Sequence, residues 1–431
     1  MSGRDWAPAL TLPVAASALG VLIWILPLRL GFYRQDAITD LPTYERAADR
    51  ILDGLVPYRD FALEYPPLAA GLFVVPEVLP GSYGLVFSAL MLASLVATVI
   101  GVVMTARALG LTVARQAAAG GAVALSPLAL GLLVETRFDM LVAALVSWTL
   151  FAAVTDRWRL VWFLVGVGVL VKLVALLLVP VLVIYQLHRH GRAAAGRGLG
   201  LAALLVAAGF LPFLMASAAD TWSLISYHLE RPLQIESSGS AYLLSLHALA
   251  DVPLRVESSF GSQGLGGDGA QIVAALSAAI LVGLVATIAV VLRWGLHRAH
   301  PTVEAHLLIA AAAATIATGL AAGKVLSPQF VMWLLPVGFI VAGRYGWTTY
   351  GLTAAVLIAT AVYFPRSYWD LVELDTWPIM VLVVRDALLI ALVAAAWPRP
   401  SLGRAPRSVE LPSSATARRG ARSLAARYLT D

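Results

Sequence analysis

Cysteine is absent from this 431-residue chain. That excludes disulfides, thiolate metal sites and cysteine nucleophiles. Charge is scarce as well, at 13% of residues, against ~25% in an average soluble domain. A water-soluble globule of this length cannot coat its surface with so little. The sequence has no Walker loop, no GxGxxG opening a helix and no GxSxG. Its seven histidines show no HExxH-type spacing. Nucleotide-phosphate, hydrolase-elbow and zincin chemistries are therefore unsupported. No metal-ligating constellation or cofactor motif is read. No repeat of 20–50 residues is visible, and the two halves of the chain do not match.

Hydrophobic residues are abundant, at 60%. Residues 9–30, 83–106, 199–219, 271–292 and 377–397 each supply about the twenty apolar positions a bilayer core requires. Such runs must be helical, because lipid offers backbone polar groups no other partner. Val14–Gly20 faintly resembles a signal-peptidase site, but the run continues to Leu30 and reads as a first anchor. The expectation is an all-α polytopic membrane protein of about twelve crossings. These fall near 9–31, 83–106, 116–134, 138–155, 160–171, 173–187, 199–219, 271–292, 304–322, 330–343, 347–364 and 377–397.

Residues 1–397 read as a single transmembrane domain. Residues 398–431 read as a basic, disordered cytoplasmic tail beside anionic lipid. Seven arginines lie in that tail, so the net charge of +5 does not imply nucleic acid. With the N-terminus inside, the cytoplasmic pieces carry eighteen basic residues against five acids, and the outer pieces eleven against nineteen. That asymmetry sets the orientation, with both termini in the cytoplasm. Residues 160–187 are one apolar run. As a single helix it would measure about 42 Å, too long for a ~30 Å core. Two short legs turning near Lys172 are expected instead.

Two outer loops are long, 32–82 and 220–270. In the first, Leu41, Tyr44, Ala48, Ile51, Leu52 and Leu55 recur at helical spacing, which predicts an amphipathic helix on the outer surface. The proline-marked stretch 66–80 reads as a second surface or re-entrant piece. In the second loop, Ser237–Ser240 and Gly261–Gly269 read as flexible.

Chemistry-bearing residues gather on this outer side. They occur in Thr39-Asp-Leu-Pro-Thr-Tyr-Glu-Arg46, Glu64-Tyr-Pro-Pro-Leu68 and Glu135-Thr-Arg-Phe-Asp139, at Lys172, in Glu230-Arg-Pro-Leu-Gln-Ile-Glu-Ser237, and in Lys324-Val-Leu-Ser-Pro-Gln-Phe330. Cations there could hold a lipid phosphate, and a carboxylate could act as base. Asp40 reads equally as a helix cap, with Asp36 and Asp49 as rival acids. Glu64 either orients a substrate or pairs with Arg59. Arg137 and Asp139 are close enough to pair with each other. Lys172, Arg231 and Lys324 are candidate phosphate ligands, with snorkelling to the surface the alternative for Lys172. His228 and His247 are the only outer-side histidines. Arg385 and Asp386, adjacent in a late helix, need partners on other helices. Trp222, Tyr227, Tyr363, Tyr368, Trp369 and Trp377 read as an interfacial belt.

The order of these blocks resembles the GT-C integral-membrane glycosyltransferases, and more narrowly glycosyltransferase family 87, the actinobacterial polyprenyl-phosphate-mannose-dependent type. The resemblance runs from about Gly31 to Trp397. Asp40 through Leu68 carries most of it, with Glu230–Ser237 and Ser327–Phe330 adding to it. It implies a GT-C-like bundle with outer juxtamembrane helices. It also implies inverting transfer from a polyprenyl-phosphate sugar, mannose first, to a cell-envelope lipid or glycan on the extracytoplasmic face of the plasma membrane. Asp40 matches the acid that deprotonates the acceptor. Glu64, Arg137, Asp139, Lys172, His228, Arg231, His247, Lys324 and Gln329 are the candidate substrate contacts, and membrane lipids the other partners. Some mannosyltransferase branches carry histidines just after the late Ser-Pro. Gln329 and Phe330 stand there instead, which leaves the sugar and acceptor open. A transporter or lipid flippase, or a non-catalytic partner in an envelope complex, is the alternative. The unmatched halves argue against a transporter.

Overall fold

The computed structural model describes residues 7–29 and 38–399. Asp36 and residues 400–431 of the tail lie outside the described residues. The chain opens with α1 (Ala7–Arg29), then α2 (Leu41–Leu52) and α3 (Pro67–Val78). A bundle of α4 (Tyr83–Ala108), α5 (Val113–Leu130), the one-turn α6 (Leu133–Thr136), α7 (Asp139–Val154) and α8 (Trp158–Val171) follows. After α8 come a 3₁₀ stretch, Leu173–Leu178, and α9 (Val179–Ala216). Next are α10 (Ala218–Glu230), β1 (Leu233–Gln234), α11 (Ser238–Ala250), β2 (Arg255–Ser259) and β3 (Ser262–Gly266). The chain finishes with α12 (Asp268–Leu296), α13 (Glu304–Ala322), the short α14 (Leu335–Gly338), α15 (Gly346–Tyr363), α16 (Tyr368–Val372) and α17 (Thr376–Ala396).

Among the described residues, five helical segments are long and apolar enough to cross a membrane: Tyr83–Ala108, Leu173–Ala216, Asp268–Leu296, Pro301–Ala322 and Thr376–Ala396. Thr11–Ile25, Pro67–Val78, Asp139–Val154 and Trp158–Val171 are apolar but shorter. The chain is thus a mostly helical membrane protein. One expected crossing is broken. Residues 330–343 form a 3₁₀ stretch, Pro328–Leu334, and then the single turn of α14. Pro336 lacks an amide proton, and Gly338 weakens a helix. The centre of the bundle is α13, buried along almost its whole length, with alanine at Ala310–Ala314. Small side chains let neighbouring helices approach closely. Outward faces carry exposed aliphatics such as Leu204, Val282, Val290 and Ile390.

The turn expected near Lys172 is present. Lys172 leaves α8 in an extended conformation (φ −159°, ψ 130°), and the chain reverses. Trp162 donates to Gln186 Oε1 at 2.7 Å, and Trp158 meets Tyr185, so α8 and the start of α9 run antiparallel. A second reversal occurs inside α9 at Gly191 (φ 76°, ψ 177°). Only glycine adopts that region freely. Gly198 then lies beside Trp162 and Gly209 beside Leu170, so the second leg of α9 runs parallel to α8. The two basic loops meet at one end of the bundle, where His190 contacts Asp156 at 2.7 Å. At the same end Glu304 holds His188 and Arg189, each at 3.1 Å.

The second long loop is more ordered than its glycines and serines suggest. Ser237 caps α11 by accepting from the Ser240 amide. The Gly261–Gly269 stretch supplies β3, the middle strand of an antiparallel sheet ordered β1-β3-β2. The sheet is a departure from an all-α fold. α3 is only twelve residues long, about 18 Å, and the Tyr83 hydroxyl donates to the Phe73 carbonyl. It packs beside α2, where Phe73 stacks on Tyr44.

A Cβ on residue 198 would stand 2.1 Å from Trp162 Nε1, and Trp162 is fully buried. Gly198→Ala should cost about 1–3 kcal/mol, read as a lower melting temperature in detergent. Gly200→Ala, which meets open space, should cause no loss.

Candidate functional site

The end opposite the basic loops gathers most of the chemistry-bearing residues. Asp40 precedes α2, where Pro42 enters the first turn. Its carbonyl accepts from the amides of Thr43 and Tyr44. Its side chain caps nothing in the helix, so the cap reading holds for the backbone alone. The carboxylate instead makes an ion pair with Arg137 and accepts from the Tyr44 hydroxyl at 3.2 Å. Arg137, 5% exposed against 31% for Asp40, also donates to the Ile38 carbonyl at 3.0 Å. Burial lowers the Arg137 pKa to about 10, with Asp139 and Glu236 opposing that shift. It remains a cation at neutral pH.

Arg137 and Asp139 do not pair with each other. Residue 139 begins α7 while residue 137 sits in the preceding turn, so their side chains diverge. Asp139 instead takes Lys172 Nζ at 2.7 Å and the Trp333 indole at 2.7 Å on the same oxygen. Lys172 does not snorkel. Its ammonium lies 4.7 Å from the Phe138 and Phe330 ring centres and 5.4 Å from that of Trp333, a cage that partly replaces lost hydration. Beneath both pairs, Tyr44 stacks on Phe73 at 4.3 Å and meets Tyr65 and Phe138 edge-on.

Glu64 does not pair with Arg59, which forks onto Asp60. Its carboxylate accepts from the Tyr227 hydroxyl, and the neighbouring Tyr65 meets Tyr44 edge-on at 5.8 Å. The His228 ring bonds the Glu64 carbonyl at 3.2 Å. Burial and nearby Arg231 lower the His228 pKa.

The remaining candidates have other attachments. Arg231 donates to Ser262 at 3.0 Å. Lys324 donates to the Leu229 and Arg231 carbonyls at 2.7 and 2.8 Å. His247 is engaged by the Val252 carbonyl beyond α11. No hydrogen bond joins Gln329 to this group.

A buried network is missing from the sequence reading. Glu236 accepts from Tyr363 at 2.9 Å and from Gln234 at 3.1 Å, and Gln234 also reaches Ser327 at 3.1 Å. Arg385 donates to the Glu236 carbonyl and forms an ion pair with adjacent Asp386 at 2.6 Å. Those two therefore do face each other. Burial raises the Glu236 pKa to about 7 against Tyr363 and Arg385. The only sequence signal for Glu236 was its place in the Glu230–Ser237 block. The aromatic belt divides likewise. Trp222, Trp369 and Trp377 are exposed, whereas Tyr363 is fully buried and Tyr227 holds Glu64.

Two cavities flank the start of α2. One, about 470 Å³, is a largely apolar groove walled by Leu128–Leu133, Ile358 and Val362, with Ile38 and Arg366 at its rim. The other, about 490 Å³, runs between α2 and α10 and is lined by Thr43, Glu64 and Tyr227. Among the described residues no three His, Asp or Glu side chains converge on a metal-sized site.

An apolar helical bundle with its carboxylates, cations and grooves at one end is built as a membrane-embedded enzyme. The chain matches glycosyltransferase family 87 over residues 63–318 and belongs to that family; its activity class is that of a glycosyltransferase. Glu64, Arg137, Asp139, Lys172 and Glu236 lie inside the match; Asp40, Lys324 and Gln329 lie outside it. No curated protein matches the chain.

Lys172→Met should strand the Asp139 carboxylate and cost about 3–5 kcal/mol. The double substitution Asp139→Asn/Lys172→Met should recover most of that loss in thermal unfolding. Glu236 supplies a pH test. With its pKa raised from 4.5 to about 7, its contribution to stability is complete below about 4.5. It is lost as pH rises through about 7. Glu236→Gln should therefore gain stability relative to the parent chain between pH 5 and pH 8.

Proposed function

We propose that this chain is an inverting glycosyltransferase that uses a polyprenyl-phosphate sugar, mannose first, to glycosylate a cell-envelope lipid or glycan. Residues 1–397 form its one catalytic domain, in keeping with a continuous hydrophobic core from Ala16 to Ala396. The observation that carries the reading is Asp40, a partly exposed carboxylate ion-paired to a buried arginine, with Ile38 just before it lining an apolar groove and Thr43 just after it lining a cavity with charged and hydroxyl-bearing walls. The isoprenoid tail lies in the apolar groove. The acceptor hydroxyl gives its proton to Asp40, and its oxygen forms the new bond at the anomeric carbon. The carbon–oxygen bond to phosphate breaks on the opposite face, and polyprenyl phosphate leaves with the electron pair.

An acid locked in an ion pair is a weak base. Arrival of the donor phosphate gives Arg137 a second anion, which loosens its hold on Asp40 and stabilises charge that grows as the bond breaks. Lys172 and Asp139 act as a rigid wall beneath that centre. Charge supports an extracytoplasmic placement of this end. The loops rich in arginine gather at the other end, which the positive-inside tendency assigns to the cytoplasm.

Purified protein with radiolabelled polyprenyl-phosphate mannose and an envelope glycolipid fraction tests this. Asp40→Asn should lower transfer by roughly 10²–10⁴-fold, while Asp49→Asn leaves it unchanged. Undiminished transfer in Asp40→Asn removes the catalytic assignment.

A further inference from the structure

The cavity between α2 and α10 has walls of two different kinds. From α2 come Thr43, Arg46, Ala47 and Arg50; from α10 come Ser223, Ser226, Tyr227 and Glu230. Each set follows the i, i+3, i+4, i+7 spacing of one helical stripe, so two helices present facing stripes. Phe61–Tyr65 form the floor and Phe260 part of the rim.

The charges on these walls are separated. Arg46 and Arg50 are exposed on the α2 side, and Glu64 and Glu230 lie on the floor and the α10 side. None of these four forms an ion pair within 4.0 Å with an acid or base of the described residues. Among the described residues Arg46 hydrogen-bonds the Thr43 hydroxyl, at 3.2 Å, and Arg50 lies 5.4 Å above the Phe61 ring. That leaves donors of both guanidinium groups available to a ligand. Across from them stand serine hydroxyls, a carboxylate and the Tyr227 ring, which suit sugar hydroxyls and sugar faces. A ligand that satisfies both walls has an oxyanion at one end and a polyhydroxylated body at the other. Bidentate guanidinium recognition fits phosphate ester and carboxylate alike.

We infer that this cavity is the acceptor subsite and that Arg46 and Arg50 select an acceptor bearing an anionic group near the sugar that is extended. The inference rests on the transferase reading above and deepens it. Glu64 lines the cavity and joins it to the proposed reaction centre through its neighbour Tyr65, which packs edge-on against Tyr44 at 5.8 Å, and Tyr44 bonds Asp40. The arginines set specificity and lie outside the transfer chemistry.

The test is binding by the full chain in detergent, followed by ligand NMR with three probes: methyl mannoside, mannose 6-phosphate and glucuronic acid. At least one charged probe should bind about a hundredfold tighter than the neutral one, about tenfold per arginine. Tighter binding of the phosphate probe names a phosphate-bearing acceptor, and tighter binding of glucuronic acid names a carboxylate-bearing one. Arg46→Gln/Arg50→Gln should erase the preference, and Arg46→Lys/Arg50→Lys should keep part of it. Both changes fall on exposed positions, and an unchanged melting temperature confirms folding. In transfer assays the double Gln variant should raise KM for a charged acceptor and leave kcat and the donor KM unchanged. Equal binding of charged and neutral probes, or a preference that survives Arg46→Gln/Arg50→Gln, overturns the subsite. Because binding is read without turnover, that failure is separate from loss of the transferase assignment, which Asp40→Asn decides.

Discussion

A buried guanidinium that must have an anion organises the end of this protein opposite its basic loops. Arg137 is 5% exposed, and an unpaired charge in such a place costs several kcal/mol. Its two partners, the Asp40 carboxylate and the Ile38 carbonyl, both lie where the chain enters α2. The electrostatic demand of a turn between α6 and α7 therefore fixes where the surface helix begins. The aromatic stack of Tyr44, Phe73 and Phe138 fixes the face it lays down. The group that anchors α2 is therefore also the cation paired with the partly exposed Asp40.

Scarcity of charge explains why each polar interaction here carries so much structure. In a soluble protein a misplaced lysine turns toward water. In an apolar bundle it must find an acid and a polarisable surround, as Lys172 does with Asp139 and three aromatic rings. Arg385 follows the same rule. Fully buried on α17, it ties the Glu236 carbonyl and the Tyr363 hydroxyl to Asp386. The segment after α10 is thereby fastened to the bundle through one side chain. The small sheet then holds that segment from the other side, because β1 pairs with β3.

The sequence announced whatever depends on periodicity and solvation. The long apolar helices, the amphipathic α2 and the reversal at Lys172 all follow from run length and the position of polar residues. The choice of partner did not. Arg137 and Asp139 are two residues apart, yet they serve different ions, because one ends a turn and the other starts a helix. Arg59 is closer in sequence to Glu64 than Tyr227 is, but it forks onto neighbouring Asp60. Such choices depend on helix rotation and crossing, which no local pattern encodes. The glycine-rich stretch before α12 hides its order for a related reason. Its glycines suit a tight hairpin whose strands are stabilised by Leu233 and Val256 across the sheet, and those partners are distant or unremarkable in sequence. Glu236 is a single acid in a loop, and such a residue carries no sign of burial in the sequence.

The two cavities give the proposed reaction a directional logic. Ile38 lines the apolar groove and Thr43 the cavity with charged and hydroxyl-bearing walls, so the two spaces reach the chain within a few residues of Asp40 on either side. An inverting displacement needs its nucleophile and leaving group on opposite faces of one carbon. In the proposed reaction the acceptor oxygen, losing its proton to Asp40, attacks one face of the anomeric carbon while phosphate departs from the other. An ion-paired resting state suits this layout too. While Arg137 is satisfied by Asp40 the base is held weak, and water in the polar cavity is a poor competitor for activation. Only an anion that competes for Arg137 changes that balance, and the donor in the proposed reaction carries one at the atom where charge must develop. The coupling of donor arrival to base strength would then need no moving lid, only the exchange of partners around one guanidinium.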